Sequence, residues 1–276
     1  MIQISERHVL KSFMLLYNMP KKSYRLIVRS KNHSCAPLRG VPVRRPVILR
    51  LGSTTPTEQI TKRRDCLELN TPESCRISGN KILMKKVFID AGVKTAEYFT
   101  IKREFSPNVI KDYFNRFGTI IAKHKHSSKG NGIFLLKNYN DFKNFIAEND
   151  YVNFVFEKYY NYNKEYRLHV TDRCFYTCRK MLKRDAEDRW HRHDSNSVWI
   201  LEENPSFDKP DNWDDIVNDC IRAKDALGLD ICAFDVKCET QKANPDWIIL
   251  ESNSAPALGE VGIQKYKDEI YRLSCN

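Results

Sequence analysis

The sequence predicts a mixed α/β and α+β protein built from two or three lobes, and three observations predict it. Short apolar, β-branched or aromatic runs of strand length alternate with capped helical stretches along the chain. The 276 residues leave room for more than one sizeable core. Near the end, two strand-type runs, CAFDVKC at 232–238 and DWIILESNSAPAL at 246–258, flank the polar QKAN at 241–244, a connection suited to a hairpin.

The first stretch, residues 1–78, carries SYRLIVRS and VPVRRPVILRLGS between Pro- and Gly-bearing turns. Val47 to Leu51 reads as a buried strand that ends in the hydroxyl-rich loop Gly52, Ser53, Thr54 and Thr55. Such a loop at the carboxyl end of a strand is where open α/β sheets bind ligands, although the same residues also make a plain turn. Charge is uneven. Residues 1–86 hold 18 Lys and Arg against 5 Asp and Glu, whereas the rest of the chain holds 28 against 30. A basic first third suits an anionic partner such as a polyphosphate, an acidic peptide or nucleic acid, or else a solvated basic surface. The nine cysteines contain no CxxC pair, so reduced thiols in a cytoplasmic protein are expected rather than disulfides or a cysteine-ligated zinc. No apolar run reaches the roughly 18 residues of a membrane span, and Glu6, Arg7, His8 and Lys11 interrupt any signal-peptide core.

SGNKILMKKVFIDAG then reads as a helix with an apolar stripe of Ile82, Leu83, Val87, Phe88 and Ala91, capped by Ser78 or Asn80 and stopped by Gly92. Lys81 and Lys85 fall four apart on the face opposite that stripe, where solvation is the ordinary outcome. TAEYFT is a strand, and Ser106 with Pro107 opens a helix through Phe117. TIIAK ends in Lys123, HKHSSKGNG follows, and IFLL returns at 133–136. A strand, a Gly- and Ser-rich turn and a return strand form a flap whose backbone N–H groups can close over phosphate oxygens; a plain hairpin turn uses the same residues. It is not a Walker A loop, which needs GK followed by Ser or Thr and a helix. After the helix of NDFKNFIAEN, the strand Phe154 to Phe156 stops in Glu157, Lys158, Tyr159 and Tyr160, with Glu165 close behind. That pattern offers backbone edges to a purine and a carboxylate to ribose, and equally serves as a crossover between lobes. EYRLHV and CFYTCRKML bring Arg167, Arg179 and Lys180. Residues 183–204 form a charged insertion in which His191 and His193 lack fitting partners for zinc, so a mobile loop is expected there. A helix capped by Asp211 runs to Leu227 and stops at Gly228.

In the late hairpin, Asp235 on one strand and Glu251 at the end of the next can approach each other, and Asn253 shares the side of Glu251. Two carboxylates and a carboxamide oxygen are the hard ligands Mg²⁺ takes when it also binds phosphates, whereas lone acids at strand ends are often only polar punctuation. A carboxylate inside CAFDV, a run otherwise fit for a core, favours use over punctuation.

This ordered set of lysines 81, 85 and 123, a Gly-rich flap, FEKYY, Arg179, and then Asp235, Glu251 and Asn253 resembles the ATP-grasp superfamily over residues 78–260. It is most similar to the carboxylate-amine ligase branch, with ribosomal-protein glutamate ligases and D-alanine:D-alanine ligase. The runs RLGSTTP and NTPESCRISGNK resemble ATP-grasp proteins of tailed bacteriophages. The resemblance implies two α+β lobes clasping ATP, at 79–157 and 158–276, behind a small basic α/β domain at 1–78. It implies that Lys85 or Lys81, with Lys123, hold the α- and β-phosphates, while Ser127, Ser128, Lys129, Gly130 and Gly132 close over the γ-phosphate. Glu157 and the backbone near Lys158, Tyr159 and Tyr160 would take the adenine edge, and Glu165 the ribose. Asp235, Glu251 and Asn253 would carry one or two Mg²⁺, or Mn²⁺; Arg179, with Arg167 and Lys180 on the same strands, would steady the transferred phosphoryl group. The implied activity joins a carboxylate to an amine through an acyl-phosphate, on an amino acid, peptide or protein. The departures are Ala257, where relatives often have Gly, and Lys94, where many have Pro. Two other readings remain at this point: a kinase of the same fold acting on a hydroxyl, and a nucleic-acid-binding protein that uses its basic first third beside an inert ATP lobe. A homo-oligomer is compatible with each reading.

Overall fold

The computed structural model describes residues 23–30, 32–56, 66–127, 131–187, 189–193, 195–241 and 245–275. The first unit contains β1 (Tyr24–Arg25), β2 (Ile27–Ser30), a 3-10 turn at His33–Leu38, β3 (Pro42–Val43), β4 (Val47–Leu51) and β5 (Leu67–Leu69). Strands β2, β4 and β5 form a parallel sheet with β4 in the middle. Every residue of β4 is buried, as expected of a parallel strand covered on both faces. Arg50 is buried with the rest because Glu68 takes its Nε at 2.7 Å and the Thr55 carbonyl accepts from its NH1.

Thr71 and Ser74 cap each other at the start of α1 (Pro72–Ser78), a helix the sequence reading passed over. Ser78 therefore ends α1, and Asn80 alone caps α2 (Lys81–Asp90), accepting from the N–H groups of Ile82 and Leu83. The buried face of α2 is Lys81, Met84, Lys85 and Phe88, one helical ridge. The expected stripe of Ile82, Leu83 and Val87 is only half-buried, so the two lysines lie inside rather than in solvent.

The middle of the chain supplies β6 (Tyr98–Phe99), α3 (Pro107–Phe117), β7 (Ile120–His124), β8 (Ile133–Leu136), α4 (Tyr139–Glu148) and β9 (Phe154–Lys158). The TAEYFT run yields just the two residues of β6, with Thr95 making an isolated bridge to Ile249. The sheet order is β6-β9-β7-β8, all antiparallel, and α3 and α4 cover it through a phenylalanine core that includes Phe99, Phe142, Phe145 and Phe156.

The largest sheet is antiparallel, β12-β11-β10-β13-β14, made from β10 (Lys164–Val170), β11 (Cys174–Leu182), β12 (Ser197–Leu201), β13 (Cys232–Glu239) and β14 (Asp246–Asn253). Helix α5 (Trp213–Ala226) runs between β12 and β13, and α6 (Glu260–Cys275) follows β14. The N-cap position of α5 is Asn212, not Asp211, and no side chain caps it; Gly228 follows the helix at a φ of +65°. The charged insertion is not all loop, since β12 pairs with β11 within it. Core membership does not follow chain order. Met84 and Phe88 of α2 pack with α5 and the inner face of the five-stranded sheet, while Ile263, Tyr266 and Ile270 of α6 pack with β2 and β4. Filling these interiors with side chains such as Phe88 stabilises the fold by about 1.5–3 kcal/mol each.

Candidate active site

Two lysines from separate elements meet on one carboxylate. Lys85 of α2 is fully buried; its Nζ donates to Thr95 Oγ1 at 2.7 Å and lies 3.4 Å from Glu157 Oε1. Lys123 of β7 donates to Glu157 Oε2 at 2.8 Å. Burial pushes Lys85 down to about 8 against the pull of Glu157. Burial also opposes the charge on Lys123, but Glu157 overcomes it and raises Lys123 above the usual lysine value. The same balance holds Glu157 below the usual carboxylate range, because two ammonium groups outweigh its desolvation. Lys81 completes the set: its Nζ donates to the Ser127 carbonyl at 2.5 Å and stands 3.8 Å from Glu251 Oε2. The start of α2 is hooked to the flap strand besides, since the Lys81 N–H donates to the Lys125 carbonyl at 3.0 Å.

The facing surface is one side of the five-stranded sheet, and alternation decides who stands on it. Register pairs Glu165 with Lys237, Arg167 with Asp235 and Cys178, and Lys180 with Trp199, so these side chains share a face. Asp235 is opposite Glu251, and a bulge after Asp235 re-aims the strand there. Arg167 grips Asp235 with both fork nitrogens, Nε to Oδ1 at 2.6 Å and NH2 to Oδ2 at 2.8 Å. Burial would raise the Asp235 carboxyl, but the guanidinium beside it keeps it below the usual range. Asn253 Nδ2 donates to Asp235 Oδ2 at 3.3 Å. Arg167 also lies over the Trp199 ring, 4.6 Å from its centroid. Deeper on this face, His169 Nδ1 is 3.0 Å from Tyr266 Oη; burial and then Arg167 push it down to about 3, so its imidazole is neutral.

Arg179 does not belong to this set. It pairs with Tyr166, whose side chain faces the opposite core, and its NH1 bonds Asp208 and the Ser206 carbonyl there. A strand turns neighbouring side chains to opposite faces, and Lys180 is the one of the pair that points at Asp235.

Ser127 and Gly132 flank the flap; Ser128, Lys129 and Gly130 lie outside the described residues. Gly132 has a φ of +64°, and a Cβ on it would sit 3.1 Å from His124 Cβ, so the turn requires glycine. Beyond β9, the N–H groups of Lys158 and Tyr159 donate to the carbonyls of Glu97 and Thr119, both at 2.9 Å, and Lys237 Nζ donates to the Tyr160 carbonyl at 3.3 Å. Glu97 also takes Lys158 Nζ at 3.1 Å and Tyr160 Oη at 3.3 Å. Glu165 is buried, which raises its carboxyl, and Lys237 across the strand works against that rise. Lys237 is itself pushed down to about 8 by burial. Sequence reasoning missed Lys237, Thr95 and Arg192. Lys237 was findable as the position two beyond Asp235 on the same strand face, whereas Thr95 and Arg192 carried no local signal.

Asp235, Glu251 and Asn253 form a donor set of two carboxylates and one carboxamide, which suits a hard cation such as Mg²⁺. Asp235 Oδ1 gives one lone pair to Arg167 and keeps another for a metal, whereas Oδ2 accepts from both Arg167 and Asn253. Among the described residues no group of three His, Cys, Asp or Glu gathers as a metal cage; the His191 and His193 rings lie 4.7 Å apart. Two surface hollows lie elsewhere, one against Ser34, Pro37 and Ile263, the other against Phe114 and Tyr139. Among the described residues no helix is long and apolar enough to cross a membrane.

No protein-family model matches the sequence, and no curated protein matches it. Solved structures do. D-alanyl-alanine synthetase A from Vibrio cholerae superposes with a TM-score of 0.61 at 12% identity, over 84% of this chain and 77% of that one. D-alanine–D-alanine ligase from Bacillus anthracis gives 0.56 at 13% identity, over 75% of this chain and 66% of its own length, just under two thirds. The ATP-grasp ligase PsnB complexed with its minimal precursor gives 0.58 at 11% identity, over 97% and 96% of the two chains. At these identities the likeness is one of fold.

Proposed function

From the ATP-grasp fold that this chain has, we propose that it is an ATP-dependent carboxylate-amine ligase, forming an amide through an acyl-phosphate on an amino acid, peptide or protein. The observation that carries this reading is the 3.8 Å approach of Lys81 to Glu251, beside Lys85 and Lys123 on Glu157: the cations of α2 and β7 meet the carboxylates of β9 and β14 in one place. Lys85 and Lys123 exchange Glu157 for the α- and β-phosphate oxygens, and the flap from Ser127 to Gly132 covers the γ-phosphate. The base lies along Lys158, Tyr159 and Tyr160, and Glu165 accepts from ribose. Asp235, Glu251 and Asn253 would hold Mg²⁺ or Mn²⁺, which when bound neutralises phosphate charge and aligns the oxygens. Arg167 and Lys180, on the face of Asp235, steady the phosphoryl group in transfer.

An oxygen of the substrate carboxylate attacks the γ-phosphorus, the bond to the β-phosphate oxygen breaks, and ADP leaves. The amine nitrogen then attacks the acyl carbon, phosphate departs with the bonding pair, and the nitrogen sheds a proton. Catalysis in this scheme is positioning and charge neutralisation, with no protein nucleophile. A closed flap protects the mixed anhydride from water.

The test is a screen of amino acids and short peptides, singly and in pairs, for ADP release, repeated with hydroxylamine in place of the amine. A productive pair releases ADP only when both members are present, and hydroxylamine captures the acid as a hydroxamate. Asp235→Asn and Lys123→Ala each lower that release by about 100-fold or more. Equal release by all three proteins, or phosphorylation of a hydroxyl compound without hydroxamate, defeats the ligase reading.

A further inference from the structure

The stretch 183–196 between β11 and β12 has no part in the scheme above, yet it is tied to the cleft at three points. The Trp190 carbonyl accepts from Tyr159 Oη at 2.8 Å. Arg192 NH2 donates to the Asn163 carbonyl at 2.9 Å, and Arg192 NH1 lies 3.5 Å from Glu165 Oε2. Tyr159 and Asn163 belong to the crossover from β9 to β10, and Glu165 to the start of β10, where the chain passes from one facing sheet to the other. The strap is braced from within. The His193 N–H donates to Asn196 Oδ1 at 2.9 Å, Asn196 Nδ2 donates to the His191 carbonyl at 3.0 Å, and the Trp190 and His191 rings lie tilted against each other with centroids 3.9 Å apart.

Arg192 is only 13% exposed, and its planar fork spans the Asn163 carbonyl and the Glu165 carboxylate. Across the β10–β13 pair Glu165 faces Lys237, so cations flank this carboxylate on two sides, and its two oxygens have lone pairs beyond those the cations take. A carboxylate fixed in this way accepts hydroxyls in one geometry, whereas an unbraced Glu spreads over several rotamers.

We propose that Arg192 is a positioning residue: the strap at 189–193 holds Glu165 in the orientation in which it accepts the ribose hydroxyls, and so sets the sugar selectivity of the nucleotide site. This rests on the ATP reading of the cleft. The test is equilibrium titration of the full chain with Mg·ADP, its 2′-deoxy and 3′-deoxy forms, and inorganic tripolyphosphate. The wild-type chain binds Mg·ADP about 10-fold more tightly than either deoxy form, as the loss of one hydrogen bond to a charged acceptor predicts. Arg192→Met brings that ratio to about 1–3, as does Glu165→Gln, while tripolyphosphate binds all three proteins equally. Arg192→Met keeping the full wild-type ratio while Glu165→Gln loses it overturns the role of the strap. An equal fall for every ligand, tripolyphosphate included, overturns it too, since that is general disruption. If the wild type binds ADP and its deoxy forms alike, Glu165 is not the ribose acceptor and this proposal alone falls. If it binds neither nucleotide nor tripolyphosphate, the ATP reading falls and takes the strap with it.

Discussion

Glu157→Gln keeps the shape of the side chain and removes the charge on which two buried lysines depend. Even with that carboxylate 3.4 Å away, Lys85 titrates at about 8 rather than 10.5, which corresponds to a penalty of roughly 3 kcal/mol for holding its charge at neutral pH. Without Glu157, Lys85 and Lys123 confront each other in the interior, each lowering the other. Removing one partner of a buried ion pair costs about 3–5 kcal/mol. At about 2–4 °C per kcal/mol for a chain of this size, the variant melts roughly 10 °C below the wild type at pH 7. The assay is thermal unfolding followed by far-ultraviolet circular dichroism, with and without Mg²⁺ and a non-hydrolysable ATP analogue. Phosphate oxygens replace the missing carboxylate, so the analogue raises the melting temperature of the variant more than that of the wild type. The sign of the pH effect follows. Losing Glu157 lowers the folded pKa of Lys85 further below its unfolded value, so the variant takes up fewer protons folded than unfolded, and its deficit narrows as pH rises toward 8. A loss below about 1 kcal/mol, or equal analogue-induced shifts in the two proteins, refutes the idea that Glu157 is the internal stand-in for phosphate.

Two further outcomes follow from the packing. Gly52 and Gly40 have nearly equal φ values, +71° and +72°, but a Cβ at Gly52 would meet Ala255 Cβ at 2.8 Å, whereas one at Gly40 meets nothing within 4 Å. Gly40→Ala therefore costs about 1 kcal/mol in urea unfolding and Gly52→Ala about 1–3 kcal/mol more; equal costs would show that the loop after Asn253 yields freely. Burial raises the Cys220 thiol well above its ordinary value of 9.0, so its contribution to stability is complete below that value and is lost as pH climbs. The stability gap between wild type and Cys220→Ala shrinks by about 1 kcal/mol from pH 9 to 10, and a gap independent of pH argues against that burial.

The late hairpin was legible because its two halves are adjacent in sequence, but the bulge was not: unbroken alternation would set Asp235 against Leu250, and the register shift after Asp235 is what brings Glu251 opposite it. Lys81, Lys85 and Lys123 could be named as a set from the sequence, but the burial of the first two could not be read there. A lysine goes inside only when a distant group receives it, and the receivers, Glu157 for Lys85 and Ser127 with Glu251 for Lys81, lie far along the chain. Arg179 was misjudged because a strand read alone shows alternation but not which parity faces the site; register with β10, fixed through the turn at 171–173, decides that. The β12 strand was hidden by the charges around it, and α1 by its shortness, although Thr-Pro-Glu-Ser is a capping sequence. α6 passed unread because the apolar side chains it buries, Ile263, Tyr266 and Ile270, match a sheet made some 200 residues earlier, as its distant register of contacts shows.

That last pairing governs the order of events during synthesis. Residues of β2 and β4 leave the ribosome about 200 residues ahead of the helix that covers them. The nascent first unit must wait with an apolar face open, and the long loop this closes makes completion slow and a natural point for chaperone capture.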